Sequence, residues 1–290
     1  MKFKFVLTFV CIILFFLPLF AQNNLTLRQI SGSITDKLDH PIPYVGLGIL
    51  GKNSGTISDS LGNFNLKIPG DLRSDTLLIS TLGYYPKKIA LQEFNQNSNT
   101  LKIKLISKAS QLKEVFVTSK KGREEIVGRK SESQFVQLSV VDNTKSNYNS
   151  NIGGELGTNF RARKYPVYLK DFNFFVLKNS FNRIKFKINI YSIKNNLPDS
   201  LLLKREIYSE LSNQYTGWKK INLAKENIYL NSDFIITLQW IDNAKAVNDN
   251  QNFRLPAGIS LGHSIFFRGA SADKWNKIGV NISYYVTLIE

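Results

Sequence analysis

The chain has 290 residues, 43% of them hydrophobic and 21% charged, with a formal charge of +16. That leaves room for one large domain or two ordinary ones and excludes a disordered chain and a multi-span membrane protein. A single Cys and two His exclude a disulfide framework and leave too few ligands for the usual zinc sites.

Residues 1–21 begin with Lys2 and Lys4, run apolar from Phe5 to Phe20 apart from Thr8, Cys11 and Pro18, and close with Leu19-Phe20-Ala21 before polar Gln22-Asn23-Asn24. A basic start, an apolar centre shorter than the roughly 20 residues of a spanning helix and a small residue at its end predict a secretory signal peptide cleaved after Ala21. Thr8-Phe9-Val10 ahead of Cys11 lacks the small residues of a lipoprotein cleavage site. Cleavage removes the sole Cys, so the exported chain is expected to hold together by sheet pairing and burial, without a disulfide and without a transmembrane span. The remaining basic excess is dispersed. It favours loose attraction to anionic surfaces, whereas nucleic-acid binding needs a clustered basic face.

From Ser31 short apolar alternations are cut by turn residues at the spacing of an antiparallel sandwich. Strands are expected at Ile30–Thr35, at Tyr44–Leu50 with small Gly46 and Gly48 among apolar residues, and around Leu66 and Ile68. Further strands are expected at Leu77–Ser80, Pro86–Leu91 and Leu101–Leu105. Between the second and third, Asp59 and Gly62 have the chemistry of a tight structural turn: the carboxylate accepts backbone N–H groups and the glycine supplies a positive φ. A calcium loop would need several more oxygen ligands beside Asp59, so turn chemistry is the preferred reading and no metal is expected.

Four blocks in this stretch, Gly32-x-Ile34-x-Asp36, Pro41-Ile42-Pro43-Tyr44-Val45, Gly55-Thr56-x-x-Asp59-x-x-Gly62-x-Phe64 and Leu77-x-Ile79-Ser80-x-x-Gly83-Tyr84, resemble the carboxypeptidase regulatory-like domain. The resemblance covers Ile30 to Ile106. It implies a transthyretin-like, Ig-like β-sandwich of about seven strands, an accessory module with no catalytic residues, of the type found in exported Bacteroidota proteins and ahead of TonB-dependent receptors. Leu112 to Thr118 resembles the short strand that follows this domain in such receptors, but the residues after it are too few for a plug and a large barrel. His40 and His263 have no Glu at metal-ligand spacing, so peptidase activity is not expected.

Residues 107–150 are polar and read as a linker with one embedded strand near Phe135 to Val141. Residues 151–290 are expected to form a second, larger antiparallel sandwich of jelly-roll type, so that the whole chain is all-β. Arg183 to Tyr191 alternates, placing Ile184, Phe186, Ile188 and Ile190 on a buried face and Arg183, Lys185 and Lys187 on the other. Those three form a basic stripe on an expected open face, either a solvated face or a contact for an anionic glycan. Tyr168 to Val176, Phe234 to Trp240 and Val280 to Leu288 repeat the pattern. Tyr215 to Leu223 is similar to the Gly-Trp strand of exported jelly-roll and carbohydrate-binding modules. Trp218 and Trp240 are read as core, and Trp275, among polar residues in a loop, as a candidate stacking platform.

No phosphate loop, nucleophile elbow or His-based triad is present in the sequence. The expectation is therefore a non-catalytic exported accessory protein of the bacterial cell envelope, without cofactor, acting as a scaffold or adhesion module through surface contacts. It would reside in the periplasm, on the outer-membrane surface or outside the cell. The alternatives are a carbohydrate-binding protein acting through Trp275 and a partner of an outer-membrane TonB-dependent system that pairs by strand addition.

Overall fold

The computed structural model describes residues 27–69, 74–94, 100–108, 122–140, 152–246, 252–259 and 262–290. The expected signal peptide (1–21) and the expected strand over 112–118 lie outside the described residues. Among those described there is no α-helix, and one 3-10 turn at Leu91–Glu93 is the sole helical element. The chain is all-β.

Seven strands build the first body: β1 (Leu27–Thr35), β2 (Gly46–Ile49), β3 (Gly55–Ile57), β4 (Asn63–Pro69), β5 (Thr76–Ser80), β6 (Lys87–Ala90) and β7 (Thr100–Lys104). They form two sheets, ordered β4-β1-β7 and β3-β2-β5-β6. β1 pairs antiparallel with β4 and parallel with β7. Alternation dictates the packing: in β4, Phe64, Leu66 and Ile68 are buried while Asn63, Asn65 and Lys67 are exposed. These side chains meet Ile30 and Ile34 from β1, Leu47 and Ile49 from β2, and Leu77 and Ile79 from β5 in one core. Each such aliphatic side chain, fully removed from water, contributes about 1.5–3 kcal/mol before ordering costs.

The second body uses β8 (Glu124–Gly128), β9 (Val136–Ser139), β10 (Glu155–Phe160), β11 (Val167–Val176), β12 (Lys178–Asn179), β13 (Phe181–Lys194), β14 (Leu197–Leu201) and β15 (Ile207–Ser212). It continues with β16 (Gly217–Asn222), β17 (Tyr229–Leu230), β18 (Phe234–Ala246), β19 (Phe253–Gly258), β20 (Ile265–Arg268), β21 (Asn276–Ile278), β22 (Asn281–Ile282) and β23 (Tyr284–Ile289). A large sheet runs β14-β13-β18-β10-β20-β21, with β15 also on β13. Opposite it lie a sheet ordered β16-β11-β23-β8 and a smaller one containing β12, β19, β22 and β9. The layers meet through aromatic edges: Phe160 on Phe172 at 6.5 Å and Phe174 on Phe186 at 6.2 Å. This is a second sandwich with its own core.

Two strands come from the stretch read as linker. β8 adds to the last strand, β23, and β9 adds to β19, so residues 124–139 are built into the sheets of the second body. β8 escapes a sequence reading because it is an edge strand: only Ile126 and Val127 are apolar, and its carboxylates serve ion pairs, Glu124 with Lys170 and Glu125 with Arg163. Trp218 also departs from expectation. It has the opposite parity to buried Ile221, so it lies on the outer face of β16, edge-on to Phe175 and Tyr285, and its Nε1 donates to Glu132 at 2.8 Å. Trp240 is in the core at 2% exposure.

Candidate functional site on two faces of one sheet

Strands β10, β13 and β18 carry different chemistry on their two faces because successive side chains point opposite ways. The outer face meets the first body. There β2 and β3 of the first body press against the loop 270–272 of the second. A Cβ on Gly46 would lie 2.7 Å from Ser271 Oγ, and one on Gly48 would lie 2.8 Å from the Ala272 backbone nitrogen. Small residues on both sides let two backbones approach closely enough for Gly51 N–H to donate to Ala272 O at 2.9 Å. Tyr44 and Ile57 of the first body bury themselves against Ile241 of β18.

The basic stripe expected to be open lies at this seam, where each of its three cations has a partner. Lys185 Nζ donates to the Tyr44 hydroxyl at 2.9 Å and sits over the Tyr44 ring at 4.5 Å. Lys187, with its side chain 9% exposed, pairs with Glu206 at 2.8 Å. The same carboxylate accepts from Thr81 of the first body at 2.7 Å and from Tyr208. Burial alone would raise the Glu206 carboxyl, but the Lys187 charge and the hydrogen bonds from Lys187, Tyr208 and Thr81 outweigh it and hold the group below its usual range. Burial and the bond to that carboxylate push the Tyr208 phenol well up. Arg183 pairs with Asp242 at 2.7 Å and Glu210 at 3.7 Å.

Beside the seam sits a buried carboxylate. Glu155 is wholly enclosed and accepts from Asn189 at 2.8 Å, from Tyr191 at 3.0 Å, from Thr237, and from Arg268 Nε and Nη2 at 2.9 and 2.6 Å. Desolvation opposes its charge, yet Arg268 and these donors keep the carboxyl below the ordinary range. Trp275 covers this pair: the Arg268 guanidinium stands 4.4 Å from its ring centroid and Tyr191 meets it edge-on at 5.6 Å. The candidate platform is thus half-buried, with one ring face occupied by a cation from its own sheet.

The inner face of the same strands borders a cavity of about 390 Å³, within the range of small-molecule sites. Its wall is apolar, from Leu156, Phe186, Leu238 and Trp240 on the large sheet and Phe253 and Leu255 on β19. Its rim is polar: Asn53 arrives from the first body, Ser139 from β9, and Asp273 and Asn276 from the hairpin that carries Trp275. The Trp275 hairpin therefore borders the site through its neighbours. Tyr284 also lines the wall; burial raises its phenol, and its hydroxyl has no hydrogen-bond partner. The sequence reading missed this cavity because its walls come from strands more than a hundred residues apart, although the strand parities were readable.

Asp59 and Gly62 form a tight turn of the first body, with the Asp59 carbonyl accepting from the Tyr44 N–H at 3.3 Å. Asp59 Oδ1 accepts from the Leu61 and Asn63 N–H groups, each at 2.8 Å, and Gly62 has φ +75° with its carbonyl accepting from Ile34 N–H at 2.9 Å. Among the described residues no group of three or more His, Cys, Asp or Glu is placed to hold a metal ion, and no helix is long and apolar enough to cross a membrane.

Among solved structures, the chain is similar to the cysteine protease and lectin-like domains of Cwp84, a surface layer associated protein of Clostridium difficile. Identity is 10% and the TM-score 0.40, over 85% of this chain and 58% of that one. A variant of the same clostridial cysteine protease, after propeptide cleavage, gives 10% and 0.40, over 87% and 66%. BcpA, the major pilin subunit of Bacillus cereus, gives 8% and 0.20, over 89% and 69%. The chain thus spans less than two thirds of the length of the first two, and TM-scores this low do not establish a shared fold. No curated protein matches the chain. A family model does: residues 30–117 match the CarboxypepD_reg-like domain, and it is the first sandwich that carries this family's pattern.

Proposed function

We propose that the protein is a non-catalytic, exported accessory protein of the bacterial cell envelope that works by binding, with the cavity of the second sandwich as its contact point. The cavity carries the reading: an apolar chamber with a polar rim is the usual form of a small-molecule site, and among the described residues its wall offers no nucleophile beside a base. The first sandwich supports it mechanically, since it docks on the outer face of the sheet whose inner face forms the wall and sends Asn53 to the rim. Export is supported by the basic, apolar and small-residue order of residues 1–21.

The test is titration with N-phenyl-1-naphthylamine, an uncharged dye that fluoresces in apolar surroundings. A saturable one-to-one enhancement is expected, lost in Ile278→Trp, which fills the cavity from a side chain that is 47% exposed and so spares the fold. Dye binding that is absent, or untouched by that variant, would remove the cavity as the contact point. Turnover of peptide or glycan substrates that survives repurification would overturn the non-catalytic reading.

A further inference from the structure

Among the described residues three charged ones border the cavity, Glu155, Arg268 and Asp273, the first two with their side chains bonded to each other in the outer-face network. Arg268 is bound to Glu155 through Nε and Nη2, while the Asp273 carboxylate accepts from the Gly269 and Lys274 N–H groups at 3.4 and 2.8 Å. An incoming anion therefore meets a guanidinium already committed to the Glu155 carboxylate and stacked on the Trp275 ring. An incoming cation meets one carboxylate paired with that guanidinium and one held by backbone N–H groups, on a chain that carries +16 overall. Neither sign of charge gains at this rim. What the rim does offer is hydrogen bonding, from the Asn53 and Asn276 amides and, as an acceptor only, the Asp273 carboxylate. Below them the wall is hydrocarbon and aromatic edge apart from the Tyr284 hydroxyl, so a charge on the buried part of the ligand would go unanswered.

We infer that the cavity takes the alkyl or acyl chain of a single-chain amphiphile whose head is uncharged and hydroxylated, the chain lying against Leu156, Leu238 and Trp240 and the head at Asn53, Asp273 and Asn276. This rests on the binding reading above and names its ligand class. A carboxylate head is disfavoured by Asp273, and a free sugar by the apolar wall.

The experiment displaces the bound dye from the full-length protein with monolauroylglycerol, laurate and dodecyltrimethylammonium, all below their micelle concentrations. Monolauroylglycerol is expected to displace at about a tenfold lower concentration than either charged probe, about 1.4 kcal/mol in binding. Asn276→Ala is expected to weaken monolauroylglycerol several-fold and the dye by less, and Asp273→Asn to narrow the gap to laurate. If the dye binds but laurate or the ammonium probe competes as well as the glyceride, the head assignment is overturned while the cavity reading stands. If the dye itself does not bind, both fall together.

Discussion

The two faces of the large sheet handle burial in opposite ways although they belong to the same strands. On the outer face Glu155, Lys187, Asn189 and Gln239 are buried polar groups, each with a bonded partner, and the first body covers part of them. On the inner face Leu156, Phe186, Leu238 and Trp240 are apolar and leave a chamber unfilled beside an orphaned phenol. A polar interface closes only when every group is served, so it locks; an apolar wall tolerates a gap, at a cost in lost dispersion contacts that a ligand can recover. Rigidity and vacancy are thus separated by one side-chain step along each strand.

The sharpest way to break the locked side is Arg268→Ala, which strands the enclosed Glu155 carboxylate. A loss of about 3–5 kcal/mol is expected in urea unfolding, and a loss under about 1 kcal/mol would mean that the network does not depend on its cation. Gly48→Val drives a side chain into the Ala272 backbone and is expected to cost about 1–3 kcal/mol. Hydrogen exchange should then rise on β2 and on residues 270–274 together, whereas exchange confined to β2 would show that the seam is not shared. Acid sharpens the comparison further. Glu155 and Glu206 are both held below the ordinary carboxyl value of 4.5, so their contribution is fully present above that value and disappears as pH falls through their lower native values. The urea midpoint should be level from neutrality to about pH 5 and drop below 4.5; a level profile well into the acid range would count against buried, ionised carboxylates. On the vacant side the effect is small and of opposite sign: Tyr284→Phe removes an unserved hydroxyl and is expected to stabilise by up to about 1 kcal/mol, read as a rise in Tm.

Much of the fold is legible in the sequence because it rests on period-two alternation. The buried set Ile184, Phe186, Ile188 and Ile190 can be read directly, as can β4 and β18, and the four blocks of the first body mark its turns as well as its strands. What is not legible depends on contacts distant in sequence. Gly46 and Gly48 are visibly small, but nothing nearby announces Ala272, more than two hundred residues away. Lys185 and Lys187 read as solvated because a strand's outer face looks the same whether water or another domain lies against it. Trp218 differs from its expected place by one step of parity, a step visible in its spacing from Ile221. The polar residues of β8 conceal an edge strand, since an edge needs little apolar surface of its own.

Glu155 has one more consequence, for how the strands find their alignment. A single carboxylate collects donors from β13, β18 and β20 while standing on β10, so four strands are fixed against one point. Sliding any of them by one position would turn its donor toward the hydrocarbon interior and leave the acid short of a partner. Mispaired sheets therefore carry a penalty at this point that the correct arrangement escapes, and the acid works as a key for strand registration.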